Sequence, residues 1–198
     1  MDLADIELVA LTGGPCGGKS SLMNALRERG SLGGRELFFV PEAATILINQ
    51  GHDVTDVVNF QTEVLGLQLE LEGEAIRQAQ ERDVPSVIIC DRGTIDGSAY
   101  CTDEQFSQIV DAYGCTRDEL SSRYGLVVHL ASVAADVPEA YTTGNNEARF
   151  EDLEGAVAQE QRTLAAWSAH PNRIVLRGYP TLAGKLEAAI AAIELSIA

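Results

Sequence analysis

The chain has 198 residues, of which 45% are hydrophobic, and its 30 acidic against 14 basic side chains give a formal net charge of −16. A surface this acidic argues against a nucleic-acid polymer as the main partner, because phosphate backbones select basic surfaces. No apolar run approaches the ~20 residues of a membrane span, and the acidic start at residues 1–5 fits neither a signal nor a transit peptide. We therefore expect one cytoplasmic domain over residues 1–198.

The first predicted elements enclose a glycine-rich loop. Residues 6–11 predict a short buried strand, and residues 20–29 predict a helix with Leu22 and Leu26 on one face. Between them, residues 13–20 read Gly-Gly-Pro-Cys-Gly-Gly-Lys-Ser, which matches the phosphate-binding loop pattern G-x-x-x-x-G-K-[ST]. A strand, this loop and a helix in that order are the context in which the pattern binds a nucleotide.

Each residue type of the loop has a physical role. The glycines let backbone N–H groups converge on phosphate oxygens, and the following helix adds its positive end. Lys19 is expected to contact the β- and γ-phosphates, and the Ser20 hydroxyl to ligate Mg²⁺. The alternative to a phosphate-binding loop is a glycine-rich turn without a ligand. A redox role for Cys16 also stays open. The predicted nucleotide-binding residues are Gly13, Gly14, Pro15, Cys16, Gly17, Gly18, Lys19, Ser20 and Ser21.

The middle of the chain predicts further alternation of strands and helices. In chain order these elements are a loop at 30–34, a strand at 36–40, a helix at 42–49, a long helix at 59–80 and a strand at 86–90. The apolar stripe predicted for the long helix is Phe60, Val64, Leu67, Leu71 and Ala75.

The last part of the chain repeats this alternation. Capping boxes at residues 102–105 and 116–119 open helices. The elements after them are a strand at 126–130, a helix at about 150–169, a strand at 173–176 and a helix at 182–197. Strands alternating with helices imply a parallel sheet covered by helices on both faces, in an α/β domain. The inner side of the last helix is predicted to be Leu182, Leu186, Ile190 and Ile193.

A second group of reactive side chains lies at the ends of the predicted strands. Asp91 ends the 86–90 strand as a Walker B carboxylate does, and would hold Mg²⁺ directly or through water. Arg92 follows and would clamp the transferring phosphate or its acceptor; the alternative is a surface arginine paired with a nearby acid. Glu42 would accept a proton from an attacking hydroxyl, unless it only complements a helix dipole.

Three further polar residues have weaker signals. Gln61 and Gln68 are spaced to hydrogen-bond one planar substrate, although both can equally be solvated. Arg149 lies where a polar stretch meets a helix and can act as a lid that closes over phosphates. The cysteines and histidines show no metal-ligand spacing, and Cys90 is expected to be inert core.

These residues together resemble the kinase branch of the P-loop NTPases. The chain looks most like a bacterial group of AAA-type ATP-binding or predicted ATPase/kinase domains, related to ribosylnicotinamide kinase and more distantly to deoxynucleoside and thymidylate kinases. The matching stretches are residues 13–21, 40–45, 60–70, 89–97 and 145–167.

The resemblance implies a three-layer fold with a five-stranded parallel sheet in the order 2-3-1-4-5. It also implies that Glu42 is the base or substrate ligand, that Asp91 and Arg92 contact Mg²⁺ and phosphate, and that residues 177–180 lie near the adenine.

The sequence thus favours phosphoryl transfer from ATP·Mg²⁺ to a hydroxyl of a small metabolite. Lys19, Glu42, Asp91, Arg92 and Arg149 are the predicted catalytic residues, and Ser20 and Asp91 the metal ligands. Two alternatives stay open, which are an ATPase or nucleotide-dependent switch without a metabolite acceptor, and a pure nucleotide-binding module. The acceptor, the choice between ATP and GTP, and a homodimer against a monomer also stay open.

Overall fold

A computed structural model describes residues 6–132 and 153–197. Its centre is one six-stranded sheet in the order β2-β3-β4-β1-β5-β6. The strands are β1 (Ile6–Thr12), β2 (Ser31–Leu32), β3 (Arg35–Val40), β4 (Ser86–Asp91), β5 (Leu126–Leu130) and β6 (Arg173–Leu176).

Helices connect the strands and cover both faces of the sheet. A 3₁₀ helix, Asp96–Tyr100, follows β4. The α-helices are α1 (Lys19–Arg29), α2 (Ala43–Asn49), α3 (Val57–Arg82), α4 (Asp103–Ala112), α5 (Arg117–Ser121), α6 (Leu153–Ala166) and α7 (Leu182–Ser196). Both predicted capping boxes are confirmed, at the starts of α4 and α5. Within the described ranges no helix combines the length and the hydropathy that a bilayer crossing requires.

The five predicted strands pair in the predicted order, with every one of their pairings parallel. β1 lies in the middle, between β4 and β5, so its carboxyl end is surrounded by the ends of both neighbours. The prediction of a plain loop at 30–34 is wrong, because Ser31–Leu32 pairs antiparallel with Arg35 and Glu36 as an edge strand. Gly33 and Gly34 make this reversal with positive φ angles of 56° and 80°.

The alternation of side chains along the buried strands builds one apolar layer on each face of the sheet. Val9 and Leu11 of β1 face α1 and α7, where they pack with residues such as Leu22 and Ile193. The intervening residues of β1 face the other layer, which contains Leu65 of α3 and residues of α4 and α6. The phosphate-loop end of β1 is therefore held in a rigid frame.

The predicted apolar stripe of α3 is partly wrong. Of its members only Phe60 and Ala75 are buried, and the buried face carries three polar side chains. Glu72 is fully buried and accepts hydrogen bonds from Arg123 Nη2 at 2.7 Å and Tyr124 Oη at 2.5 Å, which offsets its burial. The buried positions are Phe60, Gln61, Leu65, Gln68, Glu72, Ala75 and Ala79.

The inner side predicted for α7 is wrong at its first position. Leu182 is 51% exposed, whereas Lys185 is buried and Nζ donates to the Ala131 carbonyl oxygen at 2.5 Å. Ile190 and Ile193 are buried as predicted. A long lysine side chain can bury its methylenes when its ammonium group finds a carbonyl partner, which hydrophobicity alone does not indicate.

Candidate nucleotide-binding site

The glycine-rich loop turns from β1 into α1 and rests on the end of β5. Gly13 and Gly18 adopt φ angles of 133° and 98°, which side chains with a Cβ rarely adopt. A Cβ at Gly13 or Gly17 would also clash with the carbonyl oxygen of Leu130. The glycines are therefore needed both for the loop's backbone conformation and for its close packing on the sheet.

The first turn of α1 is open to an anion. Gly18 is the N-cap residue, and no side chain caps the helix N-terminus. The N–H groups of the first turn have no partner inside a helix, and they lie at the positive end of its dipole. Arg27 and Arg29 complement the negative end of the same helix. A phosphate group fits this N-terminus by charge and by hydrogen-bonding capacity.

Lys19 folds back over the loop. Its Nζ donates to the carbonyl oxygens of Gly13 at 3.0 Å and Gly14 at 3.4 Å. Burial and then repulsion by Arg92 lower the pKa of Lys19 to about 8, despite the opposing effect of nearby carboxylates. The ammonium group is thus placed at the mouth of the loop, where negative charge on a ligand would restore its ordinary affinity for a proton.

Asp91 lies beside this loop, because its position in β4 is level with Leu11 of β1. Its Oδ1 is buried and has no hydrogen-bond partner among the described residues. Burial, and next the negative charge of Glu42, raise the pKa of Asp91 above its usual value. A cation against this oxygen would relieve both effects.

The residues present fit a Mg²⁺ ion held in the manner of P-loop proteins. Asp91 offers the unpartnered carboxylate oxygen, and Ser20 offers an exposed hydroxyl on the first turn of α1. Mg²⁺ usually takes one or two protein oxygens and completes its shell with phosphate oxygens and water. In keeping with this, residues 6–132 and 153–197 contain no group of three His, Cys, Asp or Glu side chains that would form an all-protein metal cage.

Arg92 bridges two acids in the crevice at the carboxyl ends of β1, β3 and β4. Its Nε donates to Glu42 Oε1 at 2.5 Å and its Nη1 to Asp96 Oδ1 at 3.2 Å, with the side chain 17% exposed. Its backbone has a φ of 71°, unusual for a residue with a side chain, and is held by Leu11 and Gln68. Arg92 is therefore paired with acids, as the alternative supposed, but these acids line the crevice and not the outer surface.

Glu42 occupies the N-cap position of α2, yet its side chain does not cap the helix. Oε2 accepts a hydrogen bond from the Thr45 hydroxyl at 2.7 Å, while Oε1 faces Arg92. Burial opposes the charge, but Arg92 and the Thr45 hydrogen bond bring the pKa of Glu42 below its ordinary value. The carboxylate is therefore ionised at neutral pH and held at the crevice.

Asp96 is the residue of this cluster that the sequence did not indicate. It is buried, and besides Arg92 it accepts hydrogen bonds from Thr12 Oγ1 at 2.5 Å, Gly93 N at 2.9 Å and Trp167 Nε1 at 3.1 Å. These partners come from three separate parts of the chain. An acid four residues after Arg92 has no local pattern that would reveal such a role.

A pocket of about 430 Å³ opens next to Glu42 and Arg92. It lies between α2, α3 and the 3₁₀ helix, and most of its lining side chains are apolar. Four large apolar or aromatic side chains of this lining are 36–52% exposed. This volume falls within the ~300–1,000 Å³ of typical small-molecule sites. The exposed members are Ile48, Val54, Val57 and Tyr100.

The two glutamines of α3 are both buried, so the alternative that they are solvated is wrong. Gln68 donates to Glu72 Oε1 at 2.8 Å and to the Arg92 carbonyl oxygen at 3.2 Å, which supports the backbone of Arg92. Gln61 lines the pocket and is 8% exposed, and no hydrogen bond to its side-chain amide is found in the described part of the chain. Its amide is thus available to a bound molecule.

Other predicted residues divide into three cases. Arg149 lies outside the described residues. Cys90 is buried in β4, and burial raises the pKa of its thiol well above the ordinary value, so it is inert core as predicted. Residues 177–180 join β6 to α7, whose Leu182 contacts the phosphate loop at Gly18.

The parallel sheet, the loop on the end of β1 and the acid on the end of β4 together define a P-loop NTPase. The family model described as "AAA domain" matches residues 8–178, which is most of the chain. The chain therefore belongs to this P-loop family, whose members bind nucleotides and catalyse hydrolysis or transfer of their phosphates. None of the curated proteins matches the sequence.

Proposed function

We propose that the protein is an ATP- and Mg²⁺-dependent phosphotransferase that transfers the γ-phosphate to a hydroxyl of a small metabolite. The observation that carries this proposal is the pocket of about 430 Å³, whose lining includes the ionised carboxylate of Glu42 and the Arg92 guanidinium. The charges of both residues also act on Lys19 of the phosphate loop. A hydrolase needs room only for a water molecule, whereas this pocket is large enough for an organic acceptor.

The chain's own residues supply the positioning and charge that phosphoryl transfer requires. The N–H groups of the α1 N-terminus and Lys19 would bind the β- and γ-phosphates and neutralise charge that develops on them. Arg92 would stabilise the transferring group while it keeps Glu42 oriented. Mg²⁺ bound by Ser20 and Asp91 would neutralise further phosphate charge.

Glu42 would orient the acceptor hydroxyl and take its proton. The lowered pKa of Glu42 keeps the carboxylate ionised and so able to accept a hydrogen bond from the hydroxyl. It also makes Glu42 a weak base, which suits a reaction in which positioning and electrostatics supply most of the rate. Arg149 remains a proposed lid residue that would add positive charge over the phosphates.

The lining of the pocket favours an acceptor with a flat, largely apolar body. Phe60, Leu65 and Phe106 offer apolar contacts, and the Gln61 amide offers one donor and one acceptor side by side. A nucleoside or a ribosylated vitamin combines a ring of this kind with a free hydroxyl. A bare sugar or polyol would leave the apolar lining unmatched and bury its own hydroxyl groups against it.

The test is the fate of the label of γ-³²P-ATP in the presence of Mg²⁺ and a panel of nucleosides, ribosylated pyridines and simple polyols. We expect labelled product with a member of the first two groups. Glu42→Gln should lower the transfer rate by about 100-fold or more while ATP affinity is kept. The matched control is Glu63→Gln, which removes an exposed carboxylate of α3 that pairs with His52 away from the pocket.

Release of the label only as inorganic phosphate, at a rate that neither the panel nor Glu42→Gln changes, would identify an ATPase or nucleotide switch. ATP binding without any turnover would identify a binding module. Either result would replace the proposed transfer reaction.

A further inference from the structure

A buried carboxylate of α6 contacts the outer side of the phosphate loop. Glu160 is 3% exposed, and its Oε2 accepts hydrogen bonds from the backbone N–H groups of Gly14 at 2.7 Å and Ser132 at 3.1 Å. Its Oε1 lies 2.7 Å from Nε2 of His129, a fully buried residue of β5. One side chain thus joins the loop, the end of β5 and α6.

The polar partners explain how a carboxylate can remain charged at this buried place. Burial opposes the charge, but the His129 hydrogen bond and charge and the two backbone N–H groups bring the pKa of Glu160 below its ordinary value. Nδ1 of His129 has no hydrogen-bond partner among the described residues. Nε2 is therefore the ring nitrogen of His129 that is placed to hydrogen-bond Glu160.

Close packing makes this contact a constraint on the conformation of the loop. Gly14 leaves no room for a Cβ, which would clash with the Glu160 carboxylate. The Ser132 hydroxyl donates to the Pro15 carbonyl oxygen at 2.5 Å, so two successive loop residues are anchored next to each other. Together with the contact of Gly13 on Leu130, these bonds hold the first half of the loop through the protein's own residues.

We infer that Glu160 is a positioning residue, which shapes the phosphate loop for the triphosphate by holding the Gly14 N–H group. Its carboxylate acts through the loop backbone and does not contact the nucleotide. The hydrogen bonds are charge-assisted, and such bonds are roughly twice as strong as neutral ones. Loss of the charge therefore loosens the loop and weakens phosphate binding, even where the fold is kept.

This inference rests on nucleotide binding at the loop and not on the transfer reaction proposed above. The two can therefore fail separately. A chain that binds ATP through the Glu160-supported loop but transfers no phosphate would contradict only the proposed function.

The test measures the dissociation constants of Mg·ATP and of inorganic tripolyphosphate by titration calorimetry for the wild type, Glu160→Gln and Glu160→Ala. We expect both constants to rise about tenfold or more for Glu160→Ala and several-fold for the isosteric Glu160→Gln. The rise should be similar for the two ligands, because the loop contacts the phosphates. In turnover, KM for ATP should rise while kcat changes little.

The matched control is Thr163→Val, one turn further along α6. Thr163 is fully buried, and its hydroxyl donates to the Gln159 carbonyl oxygen of its own helix, not to the loop. This variant should lower the unfolding temperature without changing either dissociation constant. Glu160→Gln with wild-type dissociation constants would overturn the inference, as would equal effects of Glu160→Gln and Thr163→Val.

Discussion

The side chain of Lys19 loses its proton at a lower pH than an ordinary lysine does. Because its pKa is lowered to about 8, the side chain is mostly protonated at pH 6.5 and mostly neutral at pH 8.5. Bound phosphates favour the charged form and raise this pKa again. Nucleotide binding should therefore take up about three-quarters of a proton at pH 8.5 and almost none at pH 6.5.

Calorimetric titration of Mg·ATP in buffers of different ionisation enthalpy measures this uptake directly. The comparison between the two pH values is its own control, because the protein and ligand are unchanged. Equal proton uptake at pH 6.5 and 8.5 would show that Lys19 is already fully protonated or does not approach the phosphates.

Asp96 should be the most sensitive residue of the site for stability. Asp96→Ala leaves the Arg92 guanidinium short of one partner and three further donors without an acceptor. Breaking a buried charge pair of this kind typically costs about 3–5 kcal/mol. Urea unfolding followed by fluorescence of Trp167, the single tryptophan, measures the change. The control is Asp111→Ala, at an exposed site on α4, which should change the free energy of unfolding by no more than about 0.5 kcal/mol. An equally small change for Asp96→Ala would contradict this prediction.

At the scale of elements, the loop between β1 and α1 depends on contact with β5. Gly13→Ala places a Cβ against the Leu130 carbonyl oxygen, so we expect the loop to shift and Mg·ATP affinity to fall by at least about tenfold. Gly34→Ala is the control, because Gly34 also has a positive φ but lies in open space. It should cost about 1–2 kcal/mol of stability from backbone strain alone.

Affinity by calorimetry and stability by urea unfolding separate the two effects of a glycine. If Gly13→Ala lowered stability as Gly34→Ala does and bound Mg·ATP normally, the close packing of the loop on β5 would have no functional role.

The elements themselves were largely predictable, because their signals are local. The strands alternate with helices, and capping boxes at Thr102 and Thr116 determine where α4 and α5 begin. The loop pattern likewise predicted its own position between β1 and α1. The parallel order placed Asp91 beside the loop, since both follow the carboxyl ends of adjacent strands.

The missed features depend on contacts between distant parts of the chain. Glu160 lies within a helix, where an acid is usually solvated, and its partner Gly14 is 146 residues away. The buried face of α3 was misassigned for the same reason, because Gln68 and Glu72 are buried there through hydrogen bonds to residues of other elements. Hydrophobic periodicity carries no information on such partners.

For the whole molecule, the net charge of −16 predicts that salt stabilises the fold. Acidic groups repel one another across the surface, and screening reduces this repulsion. Raising NaCl from ~20 to ~500 mM at pH 7.5 should therefore raise the unfolding temperature. The increase should shrink near pH 5, closer to the isoelectric point of about 4.4. A lower unfolding temperature in high salt at pH 7.5 would show that attractive ion pairs outweigh the net repulsion.

The most direct test of the central claim is a crystal structure with Mg²⁺ and a non-hydrolysable ATP analogue. We expect a triphosphate enclosed by residues 13–20, with Mg²⁺ against Ser20 and Asp91 and the γ-phosphate facing Arg92 and the pocket. An analogue bound elsewhere, or bound with its γ-phosphate directed away from Glu42 and Arg92, would contradict it.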